Sequence, residues 1–160
     1  MGLKTVVRNI ITHGIVLAVG FALGLYLLPI LTAPPAPDAA ELATAMQGST
    51  YVGEFSRERE DSDALHWGEG EFAIGDQSIA FSGKLAPGPD YRLYFSPQFV
   101  ETEADFNRLK PSMVEAGSIK TFDGFLVALP EGIDPASYNA LIVWCESFGQ
   151  YITSATYAAK

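Results

Sequence analysis

The chain has 160 residues and a formal net charge of −9. Lys4 and Arg8 are the only Lys or Arg residues before residue 37, and all 19 acidic residues lie beyond it. The remainder therefore sets 8 basic residues against 19 acidic ones, a net −11. Such a surface repels phosphate backbones and anionic lipid, which argues against a nucleic-acid partner. One cysteine and two histidines leave no internal disulfide and no four-ligand Cys/His zinc site, so no metal centre is expected.

Residues 1–9 carry the two early positive charges and read as a cytoplasmic N-terminus. Ile10 to Leu31 is one apolar stretch in which Thr12 and His13 are the clearly polar residues. A helix of that length spans about 33 Å at about 1.5 Å per residue, enough for a bilayer core. Basic residues before it and acidic ones after it place the N-terminus inside and the following domain outside, periplasmic or extracellular. A cleaved signal peptide is the competing reading, but its apolar region is normally only about 7–15 residues long. Residues 32–47 form an Ala/Pro-rich linker, including Ala33-Pro34-Pro35-Ala36-Pro37. That composition favours an extended, stiff spacer, with a short helical turn over Glu41–Met46.

Residues 48–160 fit one domain with its own core. Short strands are predicted at Thr50–Phe55, around Phe72–Ile74 and Ile79–Phe81 flanking a Gly75-Asp76 turn, and at Tyr91–Phe95. Arg57–Asp63 is a charged loop and Ala86–Asp90 a Pro/Gly loop. Thr102–Lys110 is the one expected helix of the domain. Thr102 would cap it, Pro111 would end it, and Phe106 and Leu109 would face the core. Asp123-Gly124 predicts a tight hairpin between Ile119–Phe122 and Phe125–Leu129. Leu141–Cys145 reads as a strand buried on both faces, and Tyr151–Tyr157 as the last strand. The fold class expected is mainly β: a single antiparallel β-sandwich or barrel-like domain with one short helix, preceded by one N-terminal transmembrane helix.

Strand alternation puts Leu141, Val143 and Cys145 on one face and Ile142 and Trp144 on the other. Cys145 then has two readings. It is a small hydrophobe of the core, or a redox-active thiol in an oxidising compartment. His66 is the only histidine of the domain. It is a hydrogen-bonded structural residue, a partner tuning the Cys145 thiol, or an axial ligand to a haem. Gly68-Glu69-Gly70-Glu71-Phe72-Ala73 matches a loose dinucleotide pattern, but no helix opens there and its carboxylates would repel a pyrophosphate. Asp61 and Asp63, with Arg57 and Arg59 interleaved, read as a solvated loop, not a calcium site. No serine-hydrolase elbow, His-Glu-x-x-His or P-loop occurs, so a stand-alone enzyme is not indicated.

An ordered series of segments carries a resemblance. It runs through His66-Trp67-Gly68-Glu69-Gly70, Phe81-Ser82-Gly83-Lys84-Leu85, Gly88-Pro89-Asp90-Tyr91-Arg92-Leu93-Tyr94, Gly117-Ser118-Ile119-Lys120, Gly124-Phe125 and Leu129-Pro130. It closes on Tyr138-Asn139-Ala140-Leu141-Ile142-Val143-Trp144-Cys145 and Phe148…Ala155. Over about residues 50–157 the chain resembles the DM-thirteen domain, a family proposed to act in electron transfer. The resemblance implies an extracytoplasmic β domain, a redox role for the cysteine matching Cys145, and electron exchange at the cell surface with b-type cytochrome partners. A haem or metal at Cys145 and His66 would be one way to carry the electron. Two rivals stand beside this expectation. One is a non-catalytic binding or structural module presenting loops such as Pro87–Asp90 and Val100–Phe106. The other is a small-ligand carrier with a cavity lined by Tyr91, Phe95 and Trp144.

Overall fold

The structure, a computed structural model, describes residues 2–160. Helix α1 (Leu3–Thr32) is long and apolar enough to cross a membrane. It takes Lys4 and Arg8 into its first turns and ends at Ala33, where the following Pro34 disfavours helical backbone. The 32–47 segment is not extended throughout. Asp38 accepts the backbone N–H of Glu41 at 2.7 Å and so caps helix α2 (Ala39–Gln47), longer than the expected turn. Leu42 of α2 is buried against the domain, and Pro34, Pro35 and Pro37 lie along its surface.

Eight strands follow: β1 (Tyr51–Phe55), β2 (Gly68–Ile74), β3 (Ser78–Leu85), β4 (Tyr91–Ser96), β5 (Val114–Ile119), β6 (Phe125–Ala128), β7 (Ala140–Cys145) and β8 (Gln150–Ala159). They form one antiparallel sheet in the order β5-β4-β7-β8-β1-β2-β3-β6. The long β8 makes the corner, pairing with β7 through its first part and with β1 through its end. The edge strands β5 and β6 come side by side, so the sheet is a nearly closed barrel. Near-closure buries most of the backbone edge that an open sheet would expose.

The β2–β3 hairpin holds its expected register, with Phe72 opposite Phe81 and Ile74 opposite Ile79. Phe55, Phe72, Phe81 and Phe125 fill the interior, with ring centroids 4.7–5.4 Å apart along the chain of contacts. The glycines of the dinucleotide-like motif serve this packing. Gly70 has φ 131°, and a Cβ there would stand 2.6 Å from the Gly83 Cα.

The Asp123-Gly124 hairpin is not formed. The expected arm Ile119–Phe122 is not a strand: β5 ends at Ile119 and pairs with β4, while β6 pairs with β3, so no ladder joins the two sides of the turn. The Thr121 hydroxyl donates to the Gly124 carbonyl and the Leu85 N–H to the Phe122 carbonyl. These bonds turn the chain across the barrel end and deliver β6 to a strand already in place. The dipeptide fixes a local turn, whereas strand partners are set by the core.

Helix α3 (Glu103–Leu109) forms where expected. Thr102 Oγ1 accepts the Asp105 N–H at 3.1 Å, and Phe106 is fully buried. A 3₁₀ turn (Lys110–Ser112) continues it through Pro111. The Phe106 ring stacks on Trp144 at 3.9 Å and 12°, so α3 covers the outer face of β7 and β4.

Candidate functional site at the barrel mouth

Strand β7 is buried on both faces, as its unbroken apolar run requires. Leu141, Val143 and Cys145 point into the barrel, while Ile142 and Trp144 pack under α3. Cys145 is the last residue of its strand, so it sits where the interior reaches the mouth of the barrel. It is 2 % exposed. Burial pushes its thiol up, and the nearby Asp90 carboxylate adds to the rise. Backbone N–H groups of Phe148, Asp90 and Ser147 pull the other way without prevailing. A thiol so placed holds its proton at neutral pH and is a poor nucleophile.

His66, the expected partner of Cys145, is brought to the same place by the fold. The charged loop 56–67 is pinned by Arg59, which donates to the Ser154 carbonyl at 3.0 Å and to Glu101 at 3.2 Å. Asp61 accepts the Glu103 N–H at 2.6 Å. Asp63 accepts the N–H groups of Leu65 and His66, and its other oxygen meets His66 Nδ1 at 3.0 Å. Slight burial pushes the Asp63 carboxyl up, but these hydrogen bonds win and hold it below its usual range. Asp61 and Asp63 therefore act as caps and a histidine anchor. His66 and Cys145 line one cavity of about 300 Å³ with Pro87, Tyr91, Phe148 and Ile152. Leu25 and Tyr26 of α1 form its outer wall.

A model of the electron transfer DM13 family matches residues 55–157, almost two-thirds of the chain. The chain belongs to the electron transfer DM13 family. The match runs from the end of β1 through most of β8 and takes in His66, Tyr91 and Cys145. No curated protein and no solved structure matches the chain significantly.

Within this DM13 barrel, Tyr91, which the sequence offers as a lining residue of a ligand cavity, joins Cys145 and His66 at the mouth. It stands directly opposite Cys145 across β4 and β7 and is 2 % exposed. Burial, then the neighbouring Cys145, pushes its phenol well above the usual range. Its ring lies over Gly88, whose missing side chain leaves the space that the ring occupies. A second sequence signal is Gly88, three residues before an aromatic strand start.

The residue after Cys145 is also held. Lys110 Nζ reaches both Glu146 oxygens at 2.7 Å, and the Tyr94 hydroxyl donates to the same carboxylate. Burial pushes the Glu146 carboxyl up, but Lys110 and Tyr94 outweigh it and hold the carboxyl below its usual range. This network ties the β7–β8 turn to the end of α3.

A haem or metal at Cys145 and His66 finds little support in the donor set. Among the described residues no three His, Cys, Asp or Glu side chains cluster as ligands. Cys145 favours its protonated form, and His66, with Nδ1 on Asp63, has only Nε2 left to offer, so the pair supplies at most one ready ligand. The aromatic carrier cavity is corrected in its lining. Tyr91 lines the cavity at the mouth, but Phe95 lies in the filled interior and Trp144 on the outer face under α3.

Proposed function

We propose that the chain is a membrane-tethered electron-transfer module whose working end is the barrel mouth at Cys145. α1 is the anchor, with the N-terminus inside, the orientation that Lys4 and Arg8 favour, and the barrel seated on the outer bilayer face with its mouth against Leu25 and Tyr26 near the outer end of the helix. The observation that carries the reading is the placement of Cys145 in a cavity wall beside His66, within a domain of the electron transfer DM13 family. A lone thiol stores electrons through a sulfenic acid or a mixed disulfide. In the first case Cys–SOH takes two electrons and two protons to give Cys–SH and water. His66, held by Asp63, tunes that proton exchange. The redox partner is a second protein, such as a b-type cytochrome, that meets the mouth.

Burial and a raised thiol pKa favour the rival reading, in which Cys145 is a core residue of a non-catalytic module. One experiment separates the two. The native chain is treated with peroxide and freed of the excess; one portion is trapped with dimedone, and in another the oxidation of a reduced b-type cytochrome, two per sulfenic acid, is followed. Trapping at Cys145, with cytochrome oxidation lost in Cys145→Ser, supports the electron-transfer reading. A thiol that labels only after urea is added, with no cytochrome oxidation, leaves the structural module.

A further inference from the structure

The geometry points to a binding site in the cavity beside Cys145 for a lipid-soluble aromatic ring of the quinol class, reached from the bilayer along α1. The choice of a redox-active ring rests on the electron-transfer reading above, while the hydrogen-bonding pattern and the apolar walls do not.

The decisive group is the Tyr91 hydroxyl. Three tyrosines are more than nine-tenths buried: Tyr91, Tyr94 and Tyr151. Tyr94 donates to Glu146, and Tyr151 shares a hydrogen bond with Ser154 at 2.6 Å. Tyr91 lines the cavity, and no group among the described residues hydrogen-bonds its hydroxyl. Buried phenols normally find a protein partner, whereas this O–H opens onto the cavity and is free to donate to a group bound there.

His66 supplies the complementary group. Nδ1 meets the Asp63 carboxylate, an arrangement that favours the tautomer with its proton on Nδ1 and offers Nε2 as an acceptor. Tyr91 and His66 both line this cavity, so a donor and an acceptor from its lining suit a ring whose oxygens can accept at one position and donate at another. The remaining walls are apolar, formed by Leu25, Pro87, Phe148 and Ile152. The volume, about 300 Å³, stands at the small end of ligand sites, which run from about 300 to about 1,000 Å³, and suits one substituted ring.

Access and charge fit a neutral lipid-soluble molecule. Leu65 and Phe148 remain 58 % and 51 % exposed at the rim, and an apolar helix forms the outer wall. The net −11 after residue 37 disfavours anionic ligands.

The full chain in phosphatidylcholine nanodiscs, titrated with decylubiquinol and decylubiquinone, tests the site through quenching of protein fluorescence. Saturable quenching above that of empty discs is expected. Tyr91→Phe should weaken both ligands about fivefold to tenfold, the worth of one hydrogen bond. His66→Ala should weaken the quinol more than the quinone, because only the quinol donates. Tyr51→Phe, away from the cavity, should change neither. Purely linear partitioning, or affinities indifferent to both Tyr91→Phe and His66→Ala, overturns the site. If the chain oxidises a reduced cytochrome yet binds no ring, the site falls and the electron-transfer reading stands. Saturable, Tyr91-dependent binding without cytochrome oxidation keeps the site and removes that reading.

Discussion

Tyr91 and Cys145 are direct cross-strand partners on β4 and β7, and both face the cavity at the open end of the barrel. Neighbours in such a pair stand about 4.5–5.5 Å apart at Cβ, so a change at one is felt by the other. Neither group gives up its proton readily, because each is buried; Cys145 adds to the rise at Tyr91, and Asp90 adds to the rise at Cys145.

Alkaline pH should therefore unfold the barrel early. The thiol and the Tyr91, Tyr151 and Tyr157 phenols all titrate higher in the folded chain than their ordinary values of 9.0 and 10.0. Above about pH 9 the unfolded chain binds fewer protons than the folded one, so stability falls as pH rises. It is complete below that point and is lost through the raised folded values. Urea midpoints between pH 7 and pH 11 should drop steadily above pH 9, and Cys145→Ala should remove the earliest part of the drop. A flat profile to pH 11 contradicts the burial argument.

Replacing Gly88 should act on the site through Tyr91. A Cβ at Gly88 collides with the far end of the Tyr91 ring, which must swing toward the cavity. Gly88→Ala should cost about 1–3 kcal/mol and narrow the cavity. Chemical denaturation measures the first effect, and slower alkylation of Cys145 by a small apolar maleimide measures the second. An unchanged alkylation rate would place the ring elsewhere.

Cys145→Ser should be more disruptive than Cys145→Ala. Serine puts a more strongly hydrated hydroxyl beside Val143 and Ile152, and the backbone N–H groups of Phe148, Asp90 and Ser147 offset only part of its desolvation, leaving a cost of about 1 kcal/mol. Alanine removes only a small apolar volume. Equal stability of the two variants in urea would mean that the position is wetter than its 2 % exposure indicates.

Phe106→Ala should loosen α3. The Phe106 ring stacks on Trp144 in the second core, and its loss should cost about 3–5 kcal/mol. Trp144 fluorescence should shift to the red as water reaches the outer face of β7. Because Cys145 lies on the opposite face, its alkylation rate in the folded state should change little.

Much of the barrel was legible in the chain because its signals are local. Seven of the eight strands, the Thr102 cap, the register around Gly75-Asp76 and the two faces of Leu141–Cys145 follow from alternation, capping and turn chemistry, whereas β5 runs over Val114–Ile119 and shares only Ile119 with the expected arm. The Asp123-Gly124 hairpin failed for the opposite reason. A turn dipeptide is equally content in any sharp turn, and only the whole sheet chooses whether its flanks pair.

The sequence by itself determined a long apolar helix, an acidic β domain of the electron transfer DM13 family, and one cysteine on an inward strand face. Tertiary structure alone decided that this cysteine ends its strand at a cavity, that loop 56–67 folds back to bring His66 there, and that Tyr91 stands opposite with an unused hydroxyl. His66, Tyr91 and Cys145 are far apart in the chain. What joins them is strand pairing and the burial of Phe55, Phe72, Phe81 and Phe125, which no local pattern encodes.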